Sequence, residues 1–270
     1  MSPRPAATTA ARTARWSHAA RTTSPTPAAR PRWTRAPLVA PSRHGFVLLA
    51  VDSGTWRLPV ALPSRRRRAL ADRVAATARV LRRDPRVVRA DVFTALVRPP
   101  GGPRRRAGGR PARYDVVVLV ETTSPTSAEG VAAGAAATVL TRVVRSQGHT
   151  TASFAGSNVR RIAPVDHERP GVFLFNYFSA PDVATNLAVW EHTAGWFEQE
   201  TGLDNSTVLE PGPAAQVPFT LVNHCRWDHL RDVLPSLALK PSFRRFVLRA
   251  FADRRVVPEP LLYRQARVAR

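Results

Sequence analysis

Three side chains are chemically equipped and set among apolar neighbours. Asn176 is the strongly polar residue of GVFLFNYFSA, Gly171 to Ala180. Its amide can orient a substrate carbonyl or dioxygen, or can be a buried amide satisfied by backbone. His224 lies in FTLVNHCRW, Phe219 to Trp227. An imidazole there can act as a general base near neutral pH, bind haem iron axially, or fill a structural place. Trp227 closes the same run. The catalytic candidates are therefore Asn176, His224 and Trp227. Tyr177, Trp190, Trp196 and Phe219 are the substrate-binding candidates, able to wall a site for a flat apolar molecule, although aromatics at helical spacing usually pack a core.

Other chemistries lack their patterns. No HExxH, CxxC, GxSxG or phosphate-loop sequence occurs. Glu191 and His192 have no third residue at metal-ligand spacing, so no metal is expected. Gly101, Gly102, Gly108 and Gly109 do not join a strand to a helix in the phosphate-binding manner.

The elements that must position these residues are legible. Gly171 to Ala180, bounded by Pro170 and Pro181, reads as a strand buried on both faces. Val183, Leu187, Trp190, Ala194 and Phe197 follow on one helical stripe, with Asp182 at its start and Gly202 as its C-cap. Ser206 to Leu209 is a short strand and Phe219 to Trp227 a third. A helical region from His229 to about Asp253 is broken near Pro235 and Pro241. Glu259 to Gln265 is the last strand. The order is βαββαβ. Strand alternation puts Asn223, Cys225 and Trp227 on one face and His224 and Arg226 on the other.

The same order precedes it. His44 to Asp52 is a strand, Ser64 to Arg83 a helix, Val87 to Val97 a strand, and Tyr114 to Glu121 another. Ser127 to Arg145 is an alanine-rich helix and Thr150 to Ile162 the fourth strand. Each unit has helices on one sheet face and leaves the other apolar. Packing the two units together covers both. The expected fold is α+β: two tandem ferredoxin-like βαββαβ units packed as a single-chain dimeric α+β barrel. The expected boundaries are 1–42 for a disordered Arg/Pro/Ala-rich arm, 43–166 for the first unit and 167–270 for the second. The arm has no apolar period and no acid, and so is expected to be dispensable to the fold.

Charge is uneven. The chain carries a formal +22. Gly171 to Arg270 holds ten arginines and one lysine against ten acids, so nearly all of the excess precedes it. Arg65 to Arg68 and the loop from Pro99 to Pro111 could attract a polyanion, or be solvated surface. The neutral, aromatic-rich second unit favours a small ligand over nucleic acid. Cys225 is the single cysteine, which excludes an intrachain disulfide and fits a reducing, cytoplasmic location. No apolar run reaches the ~18–20 residues of a membrane span.

In the second unit the chain resembles the antibiotic-biosynthesis monooxygenase-like (ABM) group of the dimeric α+β barrel superfamily. The resemblance rests on Asn176 to Phe178 (NYF), the helix with WEHTAGWFEQETG, Arg226 to Asp228 (RWD) and the segment KPSFRRFV. It implies pockets between sheet and helices. Some members oxidise aromatic polyketides without metal or flavin, others degrade haem with an Asn, Trp and His set, and others have no demonstrated catalysis. Asn176, on a first strand, is the residue-level carry-over. The expected function is that of a small-molecule-binding α+β barrel protein, and the resemblance implies as its activity a cofactor-independent monooxygenase acting on an aromatic or polyketide-like substrate, with no cofactor and haem as the remote alternative. The competing class is a non-catalytic ligand-binding or assembly protein on the same fold. The partners expected are a small apolar or aromatic molecule and further copies of the chain, with no membrane; nucleic acid, held through the basic arm and the arginine loop, ranks below these.

Overall fold

The structure, a computed structural model, describes residues 33–55, 59–61, 64–99 and 111–266. The expected arm as far as residue 32 and the glycine- and arginine-rich part of the basic loop, 100–110, lie outside these residues. Among the described residues, eight strands and six α-helices follow the double βαββαβ order: β1 Gly45–Asp52, α1 Arg65–Leu81, β2 Val87–Val97, β3 Val116–Thr122, α2 Pro125–Ala133, α3 Ala135–Ser146, β4 Thr150–Ala163, then β5 Val172–Ser179, α4 Val183–Thr201, β6 Ser206–Pro211, β7 Leu221–Trp227, α5 Leu230–Leu239, α6 Arg249–Asp253 and β8 Val257–Gln265. A π-helical segment, Phe243–Leu248, sits between α5 and α6.

Local chemistry accounts for the helix ends. Asp182 accepts a hydrogen bond from the Thr185 N–H at 2.7 Å and caps α4, which stops at Gly202 in the left-handed region, φ 68°. Ser124 caps α2 with Pro125 behind it. The expected single helix from Ser127 to Arg145 is two helices, because Gly134 takes an extended conformation, ψ 159°. Pro235 lies inside α5 rather than breaking it, and the break falls at Lys240, which is extended ahead of Pro241.

Each half arranges its sheet identically, β4-β1-β3-β2 and β8-β5-β7-β6, and the two join edge to edge into one closed barrel through β2–β8 and β4–β6. Closure pairs the outer strands as well as covering the apolar faces. The lumen is filled by side chains. Phe93, Phe173, Phe175, Tyr177, Leu209, Leu261 and Tyr263 are fully buried there. One helix layer packs outside each half: α1 to α3 over Val47, Leu49, Val116 and Val118, and α4 to α6 over Leu174, Phe178, Leu221 and Cys225.

The arm expected to end at Ser42 needs correction. Residues 33–42 form a strap that runs from the helix layer of the second unit, at Trp33 and Thr34, to β4 of the first, at Val39 and Ser42. The Trp33 ring packs on Phe246 with centroids 4.5 Å apart, and its Nε1–H donates to Glu200 Oε1 at 3.1 Å. The Gln199 amide donates to Thr34 Oγ1 at 2.6 Å, Val39 N–H to the Arg161 carbonyl at 3.1 Å, and Ser42 N–H to Asn158 Oδ1 at 2.7 Å. Two buried side chains, Trp33 and Ala36, and this set of bonds hold a segment that lacks any periodic pattern. Among the described residues no helix is long and apolar enough to cross a membrane.

Candidate functional site

β5 and β7 sort the candidates. On β5, Leu174, Asn176 and Phe178 face the helices, while Phe173, Phe175 and Tyr177 face the lumen. On β7, Asn223, Cys225 and Trp227 face the helices, and Val222 and His224 the lumen. Asn176 and Asn223 are direct cross-strand partners.

On the helix side, Asn176 stands between two small cavities. One, of about 30 Å³, is walled by Phe178, Trp190, Ala194 and Trp227, with Thr193, Ser206, Asn223 and Cys225 as its other polar and sulfur groups. The second, also about 30 Å³, lies under the π-helical segment against Phe243, Val247, Leu248, Pro258 and Pro260. Leu174, Phe197, Trp227 and Phe251 border both. Each volume suits about one water.

Most polar groups around the first cavity are already engaged. Ser206 Oγ–H donates to Asn223 Oδ1 at 2.6 Å, Thr193 Oγ1–H to the Val189 carbonyl at 2.9 Å, and Trp227 Nε1–H to Thr201 Oγ1 at 3.0 Å. Asn176 differs. Its Oδ1 is buried and has no hydrogen-bond partner among the described residues. Burial pushes the Cys225 thiol well above its ordinary range, so it stays protonated.

His224 belongs to a different assembly. Its ring stacks on Phe175 at 4.2 Å in the lumen. His224 Nδ1–H donates to the Leu174 carbonyl at 3.0 Å, which leaves Nε2 to accept. The partner is His167 Nε2 at 2.9 Å, and His167 Nδ1 meets Asp91 Oδ2 at 2.7 Å. His167 Nε2–H thus donates to His224, and its Nδ1 lies against the Asp91 carboxylate. Arg82 Nη2 in turn donates to Asp91 Oδ1 at 3.1 Å. Burial first, then the neighbouring His167, holds the His224 imidazole well below its ordinary range, against the opposing pull of the Leu174 carbonyl. All nitrogens of the pair are occupied and no face is open.

The structure therefore brings Asn176, Trp190 and Trp227 together and sets His224, Tyr177 and Phe219 apart in the lumen, where Tyr177 and Phe219 pack at 5.3 Å. Trp196 joins neither group. It is fully buried against Phe243 and donates from Nε1 to Ser242 Oγ at 3.1 Å. Asn223, Thr193 and Ser206 also line the cavity, and none has a sequence signature of its own. Alternation had put Asn223 on the Trp227 face, but only the strand register shows it opposite Asn176. No group of three or more His, Cys, Asp or Glu able to hold a metal exists among the described residues.

No family model matches the sequence, and no curated protein matches it. Solved structures do. An anthrone oxidase-like protein superposes with a TM-score of 0.59 at 11% identity, covering 86% of this chain and 95% of that one. This chain has the fold of the dimeric α+β barrels. A variant of the chlorite dismutase from Candidatus Nitrospira defluvii gives 0.46 at 10% identity, covering 86% and 94%. A protein assigned as a monooxygenase from Lactobacillus acidophilus gives 0.45 at 8%, covering 84% and 95%.

The α+β barrel raises the question of haem, since the resemblance includes an Asn, Trp and His set. Here the set does not converge. Asn176 and Trp227 line the helix-side cavity, and His224 faces away from it with both nitrogens bonded. These residues do not fit haem.

Proposed function

We infer that the helix-side cavity at Asn176 binds a small, flat aromatic molecule and that the barrel acts on it as a cofactor-independent oxygenase. The observation that carries this reading is the Asn176 carboxamide, buried among Phe178, Trp190, Trp227 and Phe251 with its acceptor unpartnered. An unpaired buried polar group costs about 1–3 kcal/mol, which a purely structural amide would avoid. Apolar walls with a few placed polar groups are the usual make-up of a ligand site.

The anthrone oxidase-like neighbour supports the chemistry. An activated aromatic methylene beside a conjugated carbonyl loses a proton, and dioxygen converts it to a carbonyl: CH₂ plus O₂ gives C=O plus H₂O. The substrate supplies the electrons, so no outside reductant enters. Negative charge gathers on the substrate oxygen, and the Asn176 amide, turned to present N–H, is placed to hold it. The described lining contains no base of suitable range: the Cys225 thiol stays protonated and His224 lies across the sheet. The proton leaves to solvent, so the rate follows the acidity of the substrate itself. A tricyclic substrate requires the two cavities to merge. Phe197, Trp227 and Phe251 border both, and the π-helical segment roofing the second is the element that yields.

The test is dioxygen uptake with anthrone, with isotope-labelled dioxygen followed into the product. Turnover falling about 10²–10³-fold in Asn176→Val, with the fold retained, supports the assignment. Absence of both binding and uptake in the wild-type protein sinks it. The water-sized cavities favour one other reading, a non-catalytic binding or assembly protein. Anthrone would then bind saturably with no oxygen consumed.

A further inference from the structure

We propose that the free edge of β4 takes up an extended peptide as an additional strand, at a groove separate from the Asn176 cavity. β1 pairs with β4 from Thr150 to Ser157, but β6 pairs with it only from Gly156 onward. Thr150 to Ala155 therefore has a strand on one side alone. The last rung on the other side is Gly212 N–H to the Ala155 carbonyl, 2.8 Å. In an antiparallel strand the N–H and C=O of one residue point the same way and alternate along the chain. Thr151 and Ser153 thus turn their backbone groups outward with Ala155. No backbone bond to these outward groups exists among the described residues.

The opening has a local cause. After Gly212 the chain turns, with Ala215 N–H donating to the Gly212 carbonyl at 2.9 Å, and Pro213 has no N–H to continue the ladder. A groove of about 650 Å³ results, floored by Thr151 and Ser153 and walled by Ala132 and Ala133 of α2 and by the loop after Gly212. The volume is within the range of ligand sites, and the small side chains leave room for a peptide's own. Thr151 to Ala155 spans roughly 13 Å at ~3.3 Å per residue.

Charge selects the occupant further. Arg145, in the last turn of α3, lines the groove, and its Nε–H donates to Thr151 Oγ1 at 3.1 Å. The rest of its guanidinium is left to take a carboxylate at that end. Glu129 supplies the groove's negative charge. The matching strand of the other half shows what a blocked edge looks like. β8 carries Pro258 and Pro260 ahead of Leu262, its last residue paired with β2, while staying paired with β5 from Phe173 to Ser179. Proline is tolerated there because its nitrogen faces the unpaired side. β4 has Thr151 and Ser153 instead. An open edge retained in one half and closed by proline in the other fits strand addition, in which backbone bonds give affinity and alternate pockets give selectivity.

The experiment uses the full chain and a synthetic heptapeptide of alternating Val and Thr, with Asp at one end and Lys at the other. Amide exchange at Thr151 and Ser153 should slow by about tenfold at saturating peptide, while Ala152 and Phe154, already facing β1, stay unchanged. Ser153→Pro should abolish binding. A peptide N-methylated at alternate residues should also fail to bind, which tests the same bonds without altering the protein. Arg145→Glu should shift preference to a peptide with Lys in place of Asp. Unchanged exchange at Thr151 and Ser153, or equal binding of the N-methylated peptide, overturns the proposal. So does protection that rises with protein concentration alone, which would assign the edge to a second copy.

Discussion

Asn176 and His224 sit on opposite faces of one sheet, and their substitutions separate on that account. Asn176→Val keeps a strand-compatible side chain and removes an unsatisfied amide. It should raise stability by about 1 kcal/mol in denaturant titration, whereas a structural amide would lose a similar amount. His224 gives a pH signature. Its folded state holds the neutral ring, so the unfolded chain binds more protons as pH falls below about 6.5. This contribution is complete above that pH and is lost as acid is added, at up to about 1.4 kcal/mol per pH unit for one proton. Thermal melts of His224→Gln should show a lower plateau and a flatter acid limb. An acid limb parallel to wild type would mean other groups set it; His149 and His192 are also held low by burial.

At the scale of elements the strap is the decisive addition. Gly195 on α4 faces it so closely that an added Cβ would lie 1.7 Å from the Thr34 carbonyl oxygen. Gly195→Ala should therefore lift the strap, and protease should then cut within residues 33–42. Trp33→Ala should cost about 3 kcal/mol, as for other buried tryptophans, measured by chemical unfolding. The order of strands and helices was legible because period-two and period-3.6 patterns survive wherever one face is buried. Alternation along β7 alone separates His224 from Trp227. The strap was not legible: Trp33 is anchored on Glu200 and Phe246 and Ala36 lies beside Gly195, contacts far along the chain that leave no local period. Nor was the difference between Trp190, beside the cavity, and Trp196, buried against Phe243, since both are aromatic residues on one helix and only the packed neighbours tell them apart.

For the whole molecule, closure through β2–β8 and β4–β6 makes each half the other's missing edge. Expressed apart, residues 43–166 and 167–270 should each aggregate, and co-expression should restore a soluble pair; gel filtration and circular dichroism would read both outcomes. A soluble, folded half would count against this. The Asp91–His167–His224 chain adds a consequence of another kind. Asp91 comes from the first half, His224 from the second, and His167 from the stretch of chain between β4 and β5. A barrel assembled from two identical chains repeats every lumen residue about its two-fold axis. The segment joining two fused halves occurs once. His167 therefore marks one end of the lumen from the other, a polarity that a barrel of two identical chains cannot carry.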